Sequence, residues 1–380
     1  MKVHAWEING FVKLSNNNAN FLEKIIKRKY SSFSKFSNDC KVDRRTICRA
    51  CQREGSGFIK ISSLFKFTDF LKLRRNSIEK HIEFYKDSRV GVYGRTYRLD
   101  FPFMITPKVI RLVSHIVGDG SVYKDCIKYS QNDASYIKKL SEDVVKPLSE
   151  LKIGIRYKNG LFKEQVFDIP MVVAKCVSKF LNISLKDFKN SIFIEKCLKL
   201  PKDFRVQVLA ALTVDEGHVP KKKISMSDKG IVEKLCDIVD SLGYGRTNIR
   251  FERYPHKYKD KVYFPEMYSF ILLGDGIRDF SKDLKKIVSR YGASLDLWNK
   301  QNELENAVKS HNYIFLEKHK KAKDLAISIA SLARNEKVIR RHIIIKQFNA
   351  NPDSIDFILK TLVNKNEISR IDHGVYSYVK

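Results

Sequence analysis

The chain has 380 residues, 43% of them hydrophobic, with 17 Tyr and 24 Phe, which is enough for several domains and too apolar for a disordered chain. Its 72 Lys and Arg against 43 Asp and Glu leave a net charge of +29, which favours a polyanionic partner, nucleic acid above all, over a merely Lys-rich composition, where Glu usually keeps pace. No stretch approaches the roughly 18 uninterrupted apolar residues of a membrane span, and "MKVHAWEING" lacks the apolar core of a signal peptide, so a cytoplasmic protein with no membrane partner is expected.

Residues 1–100 read as basic and mainly helical. "NFLEKIIKRK" is amphipathic. "SFSKFSNDCKVDRRTICRACQREG" reads as helix, tight polar turn, helix, with Asp43 placed to cap a second helix that carries Arg44, Arg45 and Arg49. That order predicts a helix-turn-helix whose second helix would enter a DNA major groove; the alternative is a helical bundle with solvated charges. "ISSLFKFTDFLKLRRNSIEKHIEFY" repeats the theme, with Ser77 opening its second helix. "RVGVYGRTYRLDFPFMITP" reads as a hairpin and linker, and Pro107 suits the first turn of the next helix. Cys48 and Cys51, with Cys40 upstream, have part of a zinc-ligand spacing, but no second CxxC or HxxxH completes it. Small buried thiols of a reduced protein are expected instead.

From 107 to 285 one order of elements is written twice. The first pass is a helix over 107–118, strands in "SVYKDCIKYSQND", the helix "ASYIKKLSEDVVKPLSELK", strands in "GIRYKNG" and "FKEQVFDIP", and the helix "MVVAKCVSKFL". The second is a helix over 202–215, strands around "HVPKKKISMSD", the helix "KGIVEKLCDIVDSLG", strands in "RTNIRFERYP" and "KVYFPEMYSFILLG", and the helix "IRDFSKDL". Both read αββαββα, so the fold class is α+β with an internal duplication. In the tail, "KHKKAKDLAISIASLARNEKVIRRHIIIKQF", a Pro-initiated helix and the hairpin "ISRIDHGVYSYVK" with Gly374 at its turn suggest a winged helix; the alternative is a dimerisation module. The expected domains are 1–100, 107–200, 201–285 and 318–380.

Each leading helix ends in an acid followed by glycine, Asp119-Gly120 and Glu216-Gly217. The glycines are expected to close the helices in the left-handed conformation. Small residues, Ser114 and Gly118 in one helix and Ala210 and Ala211 in the other, would let the two pack closely about a pseudo-twofold axis and bring the acids together. Carboxylates so placed repel, and a divalent cation relieves the repulsion while activating water against a phosphate.

"LVSHIVGDG" and, more closely, "LAALTVDEG" resemble the two motifs of a monomeric LAGLIDADG (dodecapeptide-type) homing endonuclease, and the resemblance spans 107–285. It implies the duplicated LAGLIDADG endonuclease fold with pseudo-twofold symmetry, as a monomer, with saddle-shaped sheets along the major groove of double-stranded DNA. It implies that Asp119 and Glu216 bind catalytic Mg²⁺ or Mn²⁺, helped by the backbone carbonyls of Gly118 and Asp215. Peripheral Lys and Gln residues of such sites organise water, and Lys128, Gln131 and Lys223 lie in strands suited to that role. Lys128, Lys222, Lys223, Arg250 and Arg253 are the expected DNA contacts of the sheets. Departures are Val117 and Val214, where many members carry an earlier acid, and His115, where they carry an apolar residue. The activity implied is site-specific, double-strand DNA hydrolysis of the homing type. Two rivals are a DNA-binding transcription regulator on an inactive LAGLIDADG scaffold and a maturase acting on structured RNA. Protein splicing is not expected, because His311-Asn312 is followed by Tyr313 in place of Cys, Ser or Thr.

Overall fold

A computed structural model describes residues 1–53, 55–87, 96–123, 127–131, 136, 138, 154–158, 161–253, 255–258, 261–348, 352–372 and 374–379, with 154–158, 161–165, 167, 256–258, 261, 310–322, 352–354 and 357 as backbone only. The helix expected in 134–152 lies almost wholly outside these residues. The chain forms two compact units, Met1–Glu305 and Asn306–Lys380. It is a mixed α+β protein with small sheets. Among the described residues no helix is long and apolar enough to cross a membrane.

The first hundred residues hold more sheet than their sequence suggested. In chain order they form β1 (Lys2–Val3), β2 (Phe11–Leu14), α1 (Asn16–Tyr30), α2 (Phe33–Cys40), α3 (Arg44–Ala50), β3 (Ile59–Lys60), α4 (Ile61–Phe70), α5 (Arg75–Glu79), β4 (Ile82–Lys86), β5 (Thr96–Arg98) and β6 (Phe103–Met104). An antiparallel sheet of order β3-β2-β4-β5 forms because "FVKL" places Val12 and Leu14 on its buried side, where Ile82 and Tyr85 of "IEFYK" join them. The hairpin and linker expected in 89–107 lie partly outside the described residues; the strands described there pair with other strands, β5 with β4 and β6 with β1. Ser77 lies inside α5, whose N-cap is Arg74. The α2–α3 turn follows its sequence. Lys41 takes φ 52 there, and Asp43 Oδ2 accepts the Thr46 amide at 3.0 Å. Arg44 and Arg45 are exposed on α3, and Arg49 is half-buried.

Next come α6 (Pro107–Ser114), β7 (Gly120–Val122), β8 (Ile127–Gln131), β9 (Gly154–Lys158), β10 (Leu161–Ile169), α7 (Met171–Leu181), a 3-10 turn (Leu185–Lys189) and α8 (Ser191–Leu198). They are followed by α9 (Lys202–Glu216), β11 (Gly217–His218), β12 (Lys223–Met226), α10 (Lys229–Ser241), β13 (Arg250–Arg253), the ribbon β14 (His256–Tyr258) and β15 (Lys261–Tyr263), β16 (Glu266–Ile271), α11 (Gly274–Tyr291) and a 3-10 turn (Trp298–Lys300). The two antiparallel sheets have orders β7-β8-β10-β9 and β11-β12-β16-β13, the same permutation of first, second, fourth and third strand. Helices α6 and α9 pack on each other, with Ile110, Val113, Leu209 and Ala210 fully buried. Each of the three larger side chains contributes about 1.5–3 kcal/mol, and the Ala210 methyl under about 1 kcal/mol. Thr106 caps α6 through the Val109 amide at 3.3 Å. The helix is shorter than expected. Ser114 Oγ donates to the Ile110 carbonyl at 2.7 Å, and the chain tightens into i→i+3 turns through Ile116 and Val117 before reaching Asp119.

The second unit completes α12 (Gln301–Glu336), then forms β17 (Val338–Arg340), α13 (Arg341–Phe348), α14 (Pro352–Asn364), β18 (Ile368–Asp372) and β19 (Val375–Tyr378). Its sheet, β17-β19-β18, includes a strand at 338–340 not expected from sequence. Ile329, Ile339, Ile344, Leu359 and Ile368 form its core, and Gly374 turns the β18–β19 hairpin with φ 69.

Candidate active site

Gly120 and Gly217 follow the two acids for a reason other than the expected one. Gly217 is extended, at φ −87, and Gly120 is not among the residues of positive φ. Both glycines are required by close approach. A Cβ at Gly120 would lie 2.4 Å from Ile116 Cα, and one at Gly217 would lie 2.4 Å from the Thr213 carbonyl oxygen. The chain therefore folds sharply back over each helix end and enters a strand, leaving Asp119 exposed and Glu216 half-buried at the lip.

The acids feel one another. Partial burial, then the charges of Asp215 and Glu216, push the Asp119 carboxyl up to about 7, against the pull of Lys189 and Lys300. Burial and Asp215 likewise raise Glu216. Gln131, at the end of β8, donates from Nε2 to Asp119 Oδ2 at 2.5 Å and reaches Asp215 Oδ1 at 3.4 Å.

Two lysines that the motifs did not single out close the site. Lys189 Nζ donates to the Val117 and Gly118 carbonyls at 3.2 and 3.1 Å. Lys300 Nζ donates to the Thr213, Val214 and Gly217 carbonyls at 3.2, 2.6 and 2.7 Å. Each ends a 3-10 turn and caps one helix end, and burial lowers the pKa of both ammonium groups. Their sequence signal is a short echo, "SLKDFK" at 184–189 and "SLDLWNK" at 294–300.

Behind the lip lies a buried polar chain. The Asp215 side chain is fully buried and accepts from Tyr129 Oη at 2.8 Å and from His115 Nδ1 at 2.9 Å to each oxygen. His115 Nε2 receives the Arg111 Nε–H at 3.1 Å and the Tyr136 hydroxyl at 2.6 Å. Because Arg111 has only hydrogens to give, Nε2 must be the unprotonated nitrogen and Nδ1 carries the ring proton. Burial lowers the His115 pKa and keeps it in that neutral form. Arg111, also fully buried, continues to Gln207 Oε1 at 3.2 Å and the Asp296 carbonyl at 3.0 Å. Gly118 makes room for this arrangement, since a Cβ there would lie 2.7 Å from both Cβ and Oδ2 of Asp215.

The other expected residues sort by sheet face. Tyr129 and Gln131 share the face of β8 turned toward the helices, so Lys128, beside Tyr123 at 5.6 Å, lies on the opposite face and away from Gln131. Register with β16 puts Lys223, Arg250 and Glu252 on one face, with Lys223 ion-paired to Glu252. Arg253 falls on the other face, paired with Glu266. Lys222 is half-buried at φ 56 in the turn before β12. Cys40, Cys48 and Cys51 are buried, and burial pushes the Cys51 thiol up to about 12.

Oxygen donors with unrelieved negative charge fit a divalent cation, and Asp119 and Glu216 are such donors. Among the described residues no group of three or more His, Cys, Asp or Glu is disposed to hold a metal. The side chain of Asp215, the third acid, is committed to His115 and Tyr129, and of the two carbonyls expected to help, that of Gly118 accepts from Lys189.

No family model matches the chain, and no curated protein matches it. The chain has weak structural similarity to the homing endonuclease I-DmoI in complex with DNA and Ca, at 17% identity over 53% of this chain and 97% of that one, with a TM-score of 0.31. It also resembles full-length DUF199/WhiA from Thermatoga maritima, at 14% identity over 70% of this chain and 93% of that one, with a TM-score of 0.28. Scores this low place the chain in neither fold.

Proposed function

We propose that the first unit is a duplicated LAGLIDADG-type site-specific DNA endonuclease that cuts both strands of a duplex. The reading is carried by one observation: Asp119, just past the turns that follow α6, and Glu216, the last residue of α9, lie where two packed helices give way to strands, electrostatically coupled, each exit capped by its own lysine. Asp119 and Glu216 would hold Mg²⁺ or Mn²⁺, which supplies charge neutralisation at a phosphate and a more acidic water. The chain's own groups do the rest. Gln131 holds Asp119 in place, and Lys189 and Lys300 add positive charge where a phosphate becomes more negative. Lys128, Lys223 and Arg250, on sheet faces turned away from the helices, suit groove and phosphate contacts. The α2–α3 pair with Arg44 and Arg45, as a helix-turn-helix, and residues 318–380, as a winged helix, would add affinity and register.

The test uses purified protein, a duplex library and Mg²⁺ or Mn²⁺. Asp119→Asn and Glu216→Gln should each reduce cutting by about 10²–10³-fold while gel-shift affinity is kept. A second reading, a regulator on an inactive scaffold, is favoured by the engagement of the Asp215 side chain with His115 and Tyr129 and of the Gly118 carbonyl with Lys189. Tight, sequence-specific binding with no cut under either metal would select it.

A further inference from the structure

The turns that deliver the two lysines are fastened in different ways. Lys189 ends a turn that holds itself. The Ser184 amide donates to Asp187 Oδ2 at 2.7 Å, and the Asp187 amide returns to the Ser184 carbonyl at 3.1 Å. Phe188, inside the same turn, is fully buried and lies 5.2 Å from the ring of Phe193.

The turn Trp298–Lys300 lacks such a box. Its N-cap is Leu297, which has no side-chain acceptor to offer. Trp298 is held at φ 61, a left-handed conformation that a bulky residue adopts only where its surroundings impose it. Local bonds account for part of this: Asp296 Oδ1 accepts the Trp298 amide at 2.8 Å, and Gln301 Oε1 accepts the Leu297 amide at 3.3 Å. Those bonds stay within the segment, so they shape it without fixing it to the core.

The tie to the core comes from the other half. Arg111, on α6, donates from Nη2 to the Asp296 carbonyl at 3.0 Å, across 185 residues of chain. Its Nη1 donates to Gln207 Oε1 at 3.2 Å, and Gln207 Nε2 reaches the adjoining Leu295 carbonyl at 3.5 Å. Two successive carbonyls are thus bound to one guanidinium, one directly and one through an amide. The bonds of Nε to His115 and of Nη2 to Tyr136 Oη, at 3.1 and 3.4 Å, set its plane.

Arg111 is fully buried, and every acceptor it meets among the described residues is neutral. A buried cation with no directly bonded carboxylate is costly, and an apolar side chain of similar volume would cost less. What only arginine offers is five donors in one rigid plane. Counted back from the paired acids, the matching position of α9 is Val208, so the turn of Lys189 has no such tie.

We propose that Arg111 is a positioning residue for Lys300. It fixes the 295–298 segment so that the turn brings Lys300 Nζ onto the carbonyls at the end of α9, beside Glu216. The first half thereby sets the geometry of the second half's site, while Lys189 is set by its own turn. The effect on cutting rests on the endonuclease reading; the placement of Lys300 does not.

The test therefore has two readouts. The first labels full-length protein, without divalent metal, with trace acetic anhydride and follows each lysine by mass spectrometry. Arg111→Met should speed acetylation of Lys300 at least about tenfold, the size of one lost bond to a charged group, and leave Lys189 within about twofold. Asp296→Ala, at a half-buried position where folding is less at stake, should do the same. Asp296→Asn, which keeps an acceptor for the Trp298 amide, should restore the wild-type rate. The second readout is a plasmid carrying a site selected from the duplex library. Arg111→Met should spare the same strand that Lys300→Met spares, and the double variant should cut no worse than Lys300→Met alone. Faster acetylation of both lysines together, an unchanged Lys300 in either folded variant, or equal loss on both strands overturns the proposal. Selective exposure of Lys300 in a protein whose wild type never cuts upholds the positioning and removes the endonuclease reading instead.

Discussion

The two helix ends present similar outer surfaces and opposite interiors. Each has an acid, a glycine forced by close approach, and a lysine on its last carbonyls. Beneath that likeness, α9 runs as continuous helix to Glu216 and sends Asp215 inward, whereas α6 stops at Ser114 and leaves only Gly118 opposite. His115, on the first side, answers Asp215 on the second, while Leu212 stands at the position matching His115. The difference teaches that the outer chemistry is paired while the support is complementary: one half supplies the buried carboxylate, the other the space for it and the donors to it.

The comparison can be sharpened first at the lysines. Lys189→Met and Lys300→Met should each lower cleavage by about 10²-fold. On a supercoiled plasmid, each should accumulate nicked circles, because one strand's site is spared. Linear product forming without nicked intermediate would show that the lysines do not serve separate strands. Next in size is the buried lock. Asp215→Ala leaves His115 and Tyr129 without their acceptor and should cost about 2–4 kcal/mol in urea unfolding. Gly118→Ala, which drives a methyl against Asp215, should cost about 1–3 kcal/mol. The double variant should cost less than the sum by more than about 0.5 kcal/mol, and strict additivity would deny the contact.

The smallest effect is one of pH. The Asp119 carboxyl rises from an ordinary 3.8 to about 7 on folding, so the folded protein holds this proton more tightly than the unfolded chain. Its contribution to stability is intact below about pH 4 and is lost as pH rises through 7. Because the group is exposed, solvent screens the effect. Without metal, Asp119→Asn should raise the thermal midpoint by roughly 1–2 °C at pH 8 and leave it unchanged at pH 4. Mn²⁺ should narrow the gap at pH 8; a gap independent of pH would remove the carboxyl as its source.

Much of this was legible in the sequence. Pro107 and Asp43 mark helix starts, and Glu216-Gly217 marks a helix end, whereas α6 stops at Ser114, short of Asp119-Gly120. What was not legible depends on distance along the chain. Lys189 and Lys300 lie 71 and 83 residues beyond the glycines whose carbonyls they bind, at Gly118 and Gly217, and the short echo that ends in each of them says nothing of what they reach. The role of Gly120 was misread because conformational freedom and lack of a side chain are the same residue in a sequence; only the Ile116 backbone at 2.4 Å separates them. The strands β2 and β4 were hidden by brevity, since four or five alternating residues beside a strong helical pattern carry a weak signal.

The niche at Gly118 has a consequence for ancestry and for engineering. Two copies of the first half, joined as a homodimer, would face each other across two vacant niches with two histidines lacking an anion. Two copies of the second would drive one aspartate into another. The present chain has committed its halves to each other, so splitting it should yield fragments that reunite only as unlike partners.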